Sequence, residues 1–261
     1  MKSSGQRLPL IHHVVDVNDL KSRIEKLTDY EAFREVLNSM SDVEKIDGKF
    51  FKLLKVKDRL NATLLAIFVE CPWQVYLGKR LAENYGYSNT ILTPIPNIKH
   101  VLLGLKVHEQ YLNYLESNFN IPTEVRVESE FQVSGKSVRV VGKVDALILE
   151  DKFLTVLEVK TSGKVKARSS FQACTYMHII NNYIGDKVVK PLVLTLSGFK
   201  KPTLYSRADV LQVIESVYNI IFNSTEWSVG DDFKCVKTRC PYYPYCPKRG
   251  TNMITSYLKP S

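Results

Sequence analysis

The sequence has no apolar run of membrane-spanning length. Its longest, Ala62 to Val69 with Thr63 inside it, falls far short of the roughly 18 residues that a spanning helix needs. The opening Met1-Lys2-Ser3-Ser4-Gly5-Gln6-Arg7 leads into no stretch of signal-peptide length. No repeat or low-complexity segment is visible, and the 12 glycines and 11 prolines are scattered rather than gathered into a linker. The five cysteines are an odd number, so a disulfide framework is not expected. A cytoplasmic, reducing location is, where thiols serve as metal ligands or small buried hydrophobes. Acidic residues are also in short supply: 27 Asp and Glu stand against 36 Lys and Arg, a net charge of +9. With 44% hydrophobic residues the chain can bury a sizeable core, which excludes disorder and fibres. The basic surplus points either to a polyanionic partner, nucleic acid or an anionic membrane surface, or to a merely solvated surface.

The first sixty residues read as helical: Leu20, Ile24 and Leu27 recur at helical spacing, as do Phe33, Val36 and Leu37, and Ser41-Asp-Val-Glu44 has the form of a capping box. His12 and His13 are adjacent and share no face, so they read as surface or packing residues. Asn61 is the expected N-cap of a helix from Ala62 to about Asn84, and Asn97 of one from Ile98 to about Ser117. The period then changes to two over Val125–Val133, Val138–Leu149 and Phe153–Lys160, with turns at Ser134-Gly135 and Glu150-Asp151. A helix from about Ser169 to Asn182, a strand Val188–Leu196 and a helix Arg207–Phe222 follow. This order describes an α/β fold, a mixed sheet flanked by helices. Residues 1–99 form an N-terminal helical region, 100–222 the core and 223–261 a cysteine-rich tail.

Charged residues interrupt the apolar strands at Gly142-Lys143-Val144-Asp145 and Glu158-Val159-Lys160. Residues two apart on a strand share a face, so Glu158 and Lys160 project together, and a hairpin partner can bring Asp145 beside them. Two neighbouring carboxylates are hard-oxygen ligands suited to Mg²⁺ or Mn²⁺, and a lysine beside them can hold an attacking water and offset charge on a phosphate. The plainer alternative is a Lys143–Asp145 or Glu158–Lys160 pair on a half-exposed sheet. His108, on the helix before the sheet, could complete a site of one nitrogen and two carboxylates. Gln172 and Tyr176 are four apart and share a helix face. Cys174 between them points away and reads as a small buried hydrophobe.

This order, histidine on a helix, G-x-x-D, E-x-K and Q-x-x-x-Y, resembles the RecB-like branch of the restriction-endonuclease superfamily over residues 100 to 180. The resemblance implies a metal-dependent phosphodiesterase. His108, Asp145, Glu158 and the Val159 backbone carbonyl would be ligands, Lys160 the catalytic lysine, and Gln172 and Tyr176 the DNA contacts.

Cys71 stands upstream of these motifs, and Cys235, Cys240 and Cys246 follow them as C-x4-C-x5-C. Four thiolates suit a four-iron cluster or a tetrahedral zinc, and spacing does not separate the two. One cysteine before the core and three after it resembles the iron-sulfur RecB-like nucleases, in particular the CRISPR-associated Cas-four exonuclease family, which implies a 4Fe–4S cluster. The C-x4-C spacing, where that family more often has C-x2-C, and the sixty or so residues ahead of the family pattern mark a divergent branch.

Lys152, Lys160, Lys164, Lys166 and Arg168 flank the proposed site, and Lys234, Lys237, Arg239, Lys248 and Arg249 the tail. Tyr242, Tyr243 and Tyr245 either stack on bases or pack around the cysteines. The expectation is a Mg²⁺- or Mn²⁺-dependent exonuclease on single-stranded DNA ends. By resemblance it trims DNA for a CRISPR array in company with integrase proteins. The alternatives are a non-catalytic DNA-binding scaffold of the same fold and a repair or viral recombination nuclease.

Overall fold

The computed structural model describes residues 8, 10–184, 187–223, 240–242 and 246. Three short helices come first, α1 (Ile11–Val14), α2 (Val17–Glu25) and α3 (Asp29–Ser39). Asp16 caps α2 by accepting from the Asn18 and Asp19 amides, each at 3.0 Å. A capping box lies at Thr28 and Glu31, not at Ser41–Glu44. The helical reading fails from Val43 onward, where the chain forms strands β1 (Val43–Ile46), β2 (Lys49–Lys55) and β3 (Arg59–Asn61). The cause is Asp47-Gly48, whose φ angles of 48° and 74° make the two-residue hairpin turn that pairs Ile46 with Lys49.

The helix expected to run from Ala62 to Asn84 is two helices, α4 (Ala62–Glu70) and α5 (Pro72–Asn84). Pro72 forces Cys71 into extended backbone, φ −166°, so Cys71 ends one helix and caps the next. Then come β4 (Thr90–Ile95), α6 (Ile98–Phe119), β5 (Thr123–Val133), β6 (Lys136–Leu149), β7 (Phe153–Val159), α7 (Ala167–Asn181), β8 (Val188–Thr195), β9 (Gly198–Lys200) and α8 (Arg207–Phe222). Asn61 and Asn97 are the N-caps expected of them, bonding the Leu64 and His100 amides. Among the described residues no helix is long and apolar enough to cross a membrane.

Strands β1, β2 and β4 make a small antiparallel sheet covered by α5. The main sheet is mixed. Long β6 takes antiparallel β5 along one edge, from Lys136 to Ala146. Its other edge takes parallel β3 at Arg139–Val141 and antiparallel β7 at Ala146–Leu149. Between them, among the described residues, no strand pairs with residues 142–145 on that edge, and the sheet forks there. Strand β8 continues parallel to β7 through the α7 crossover, and β9 closes the edge as a hairpin.

Leu154 and Val156 of β7 belong to the core under α4, α7 and α8, while Leu157 and Val159 belong to the core under α1 and α6. On β6, Val144 and Leu147 face α7, whereas Ala146 and Ile148 face α6. Two residues three apart on one side mean that the strict alternation slips by one around Asp145. Opposite it Glu124 has a left-handed φ of 51°. Asp145 thus sits where the strand changes which face it buries.

Part of the tail is docked on the small sheet. Tyr242 is 1% exposed and donates its hydroxyl to the Leu92 carbonyl at 2.7 Å. Gly78 of α5 makes room for it: a Cβ there would lie 2.6 Å from Ile91 Cγ2, 2.8 Å from the Leu92 carbonyl and 2.9 Å from the Tyr242 hydroxyl. An interior helical Gly→Ala change ordinarily stabilises by about 1 kcal/mol. Here overpacking reverses the sign, and Gly78→Ala is expected to destabilise by about 1–3 kcal/mol in urea unfolding.

Candidate active site

The fork assembles four of the residues singled out by the sequence. The β6–β7 ladder ends at the Ala146–Leu157 pair, so one step further along the same register Asp145 comes opposite Glu158. Asp145 Oδ2 accepts from the Val159 amide at 2.6 Å, a side-chain bond in place of the next backbone one. Its Oδ1 lies 3.1 Å from His108 Nε2, brought in from the α6 side. Gly104, one turn before His108, lets Thr161 close onto the same helix, its hydroxyl 3.4 Å from where a Cβ would be. Glu158 is 1% exposed and ion-pairs through Oε1 with the Lys160 ammonium. The Lys160 backbone is held by its amide on the Leu194 carbonyl at 2.7 Å. Glu158 Oε2 is buried and accepts no hydrogen bond among the described residues. Lys143 turns away to Glu124 at 2.5 Å, so it is no partner for Asp145.

Burial pushes the Glu158 carboxyl up to about 7, and the Asp145 charge adds to it against the pull of Lys160 and His108. For Asp145 burial acts in the same direction, but the His108 hydrogen bond and charge, Lys160 and the Val159 amide outweigh it and hold the pKa below the ordinary value. His108 and Lys160 are each depressed by burial and raised on balance by the two carboxylates. The site is thus two crowded carboxylates, one of them carrying a bare buried oxygen.

A divalent cation answers that crowding: it satisfies a hard oxygen that nothing else does and relieves like-charge repulsion. The donor set therefore fits Mg²⁺ or Mn²⁺. The histidine and the first carboxylate, however, are bonded to each other, and among the described residues no three His, Cys, Asp or Glu side chains are grouped to hold a metal ion.

Gln172 and Tyr176 share a face of α7 as expected, with Gln172 Nε2 donating to the Tyr176 hydroxyl at 3.0 Å. Both are buried, at 7% and 2% exposure. The Tyr176 ring lies flush on the fork: a Cβ at Gly142 would be 2.2 Å from ring Cε1. That contact was missed in the sequence, although a glycine inside a strand pattern signals close approach. Cys174 is the buried small residue expected, its thiol donating to the Thr203 carbonyl at 3.5 Å. His12 and His13 lie side by side on α1, their ring centroids 4.3 Å apart and tilted at 45°.

Gln74 Nε2 lies 4.0 Å from Cys240 Sγ. Cys240 and Cys71 both act on Tyr242, whose phenol is raised chiefly by burial. Cys246 is buried in the same small-sheet core. Cys235 lies outside the described residues, as do Lys234, Lys237, Arg239, Tyr243, Tyr245, Lys248 and Arg249. Of the three tail tyrosines, Tyr242 packs rather than presents its ring. Lys164 and Lys166 are exposed, whereas Arg168 ion-pairs with Glu70 at 3.7 Å, next to Cys71.

A family model, PD-(D/E)XK nuclease superfamily, matches residues 49–247. Among solved structures, one described as "Crystal structure of SSO0001" is 18% identical, with a TM-score of 0.48, covering 91% of this chain and 98% of that one. A comparison with curated proteins finds no match.

The raised Glu158 pKa has a signed consequence for the metal-free protein. Its contribution to stability is full below the unfolded value near 4.5 and is lost as pH rises through about 7. Urea unfolding in EDTA is expected to show stability falling by a few kcal/mol, at most about 3, between pH 5 and 8. Glu158→Gln should flatten that stretch.

Proposed function

Because the chain belongs to the PD-(D/E)XK nuclease superfamily, we propose that the fork is the catalytic centre of a Mg²⁺- or Mn²⁺-dependent DNA exonuclease acting on single-stranded ends. The observation that carries this reading is the bare, buried Oε2 of Glu158, beside Lys160 and facing Asp145. Asp145 and Glu158, with His108 and the Val159 carbonyl, would hold the ion. When bound, it supplies positive charge against the phosphodiester and makes water a better nucleophile at neutral pH.

Lys160 does the rest of the electrostatic work. Its ammonium, kept cationic by two carboxylates, orients the attacking water and offsets the charge that builds on the phosphoryl oxygens. Water attacks phosphorus and gives up a proton to solvent, the bond to the leaving oxygen breaks, and that oxygen takes up a proton from solvent. In the metal-free site His108 holds Asp145 in register through its 3.1 Å contact, a contact that it would exchange for the ion. The exposed Lys164 and Lys166 border the loop after Lys160 and suit phosphate contact.

The cysteines extend the same reading. Cys71, Cys235, Cys240 and Cys246 hold a 4Fe–4S cluster, with zinc as the competing occupant. What supports it is that Cys240 and Cys246 pack in the small-sheet core against α5, the helix that begins directly after Cys71. From the likeness of the cysteine arrangement to the Cas-four family, the cellular role is trimming DNA before its integration into a CRISPR array, in the cytoplasm and beside integrase proteins.

The test uses anaerobically purified protein and single strands labelled at the 5′ or the 3′ end. Cleavage is expected with Mn²⁺ and not with EDTA, progressing from an end. Glu158→Ala and Lys160→Ala should each lower the rate by about 10²–10³-fold, the loss seen when one charge-stabilising group is removed. Full activity in either variant, or none in the wild type, would overturn the reading. The absorption spectrum and metal content of the same preparation decide between iron-sulfur and zinc.

A further inference from the structure

We propose that Tyr176, held by Gln172, is a positioning residue that packs over Gly142 on the α7 face of the fork and sets where Asp145 lies, rather than a contact to DNA. The inference rests on the reading of the fork as the catalytic centre.

Residues 142–145 of β6 lie between its β3 and β7 pairings, and among the described residues no strand pairs with them on that edge. Tyr176 packs onto the face of this stretch from α7. Its ring occupies the space that any side chain at Gly142 would take, with ring Cε1, Cδ1 and Cζ at 2.2, 3.1 and 3.2 Å from an added Cβ. The Lys143 backbone amide also acts on the phenol, lowering a pKa that burial raises. The ring is therefore seated directly on the backbone of the stretch that leads to Asp145.

Gln172 fixes the hydroxyl from the helix side at 3.0 Å. The two residues lie one helical turn apart, so α7 presents them as one unit. With the Gln172 side chain and the Tyr176 ring both buried, the pair is turned inward to the protein. The braced segment runs directly into Asp145, whose own side chain is held by His108 and the Val159 amide. Without the ring, the backbone at Gly142, three residues before a metal-binding carboxylate, loses the contact that seats it.

The full-length protein can test this with Mn²⁺ and a fluorescent single-stranded oligonucleotide as probes. Tyr176→Ala is expected to weaken Mn²⁺ binding, read from the Mn²⁺-induced thermal shift, by about tenfold or more, the usual loss when a supporting group behind a metal ligand is removed. The oligonucleotide Kd, measured in EDTA, should stay within about twofold, and kcat should fall with KM unchanged. Tyr176→Phe keeps the ring and should recover most of the Mn²⁺ affinity, which also covers the case in which the alanine variant fails to fold.

Gly142→Ala should lose Mn²⁺ binding by displacing the ring, and Gly142→Ala combined with Tyr176→Ala should bind Mn²⁺ no worse than Tyr176→Ala alone. A raised oligonucleotide Kd with Mn²⁺ affinity intact would overturn the proposal and make Tyr176 a DNA contact. Strictly additive losses in the double variant would overturn it too. If the wild type cleaves nothing while the Mn²⁺ shifts keep this order, the exonuclease reading falls and the brace stands.

Discussion

Two carboxylates brought face to face in a buried fork are the constraint around which the rest is arranged. Glu158 and Asp145 come into opposition because β6 and β7 are a hairpin whose backbone ladder ends one step before them. Like charges at close range in a site with little water are costly. The cost is met in two ways: His108 and the Val159 amide take the Asp145 oxygens, and Lys160 takes one Glu158 oxygen, while the other accepts no hydrogen bond among the described residues. The ladder therefore stops at the carboxylate pair.

Three layers meet at this point. Helix α6 covers one face of the sheet and brings His108; helix α7 covers the other and brings Gln172 and Tyr176. The strand between them changes its buried face around Asp145, so a single carboxylate is reached from the α6 side while its own segment is braced from the α7 side. A regular strand could not do both, because its side chains alternate strictly. The left-handed Glu124 on β5 marks the same irregularity from the opposite edge.

The tail adds a second tie. Tyr242 sits in the slot made by Gly78 and bonds to β4, which places Cys240 and Cys246 against α5, the helix that begins directly after Cys71. Arg168 stands between the two regions: it pairs with Glu70 beside Cys71 and lies near enough to Lys160 to oppose its protonation. The cysteine region and the carboxylate centre are thus neighbours through one arginine on the first turn of α7.

Much of the element order was legible in the residues. Period-two runs marked β5 to β7, Asn61 and Asn97 marked helix starts, and Arg207–Phe222 is the helix its pattern describes. The small sheet was not: β1, β2 and β4 are short, and Asp47-Gly48 was the one local signal for them. Charged residues in otherwise apolar strands picked out Asp145, Glu158 and Lys160, since buried charge requires a reason. Local spacing carries such information because side-chain direction follows from the strand or helix period alone. It cannot say that β3 and β7 share one edge of β6 and leave a gap, that Gly142 is a seat for an aromatic ring, or that Gln172 and Tyr176 face inward. Those depend on contacts between residues far apart in the chain, and tertiary packing alone decides them.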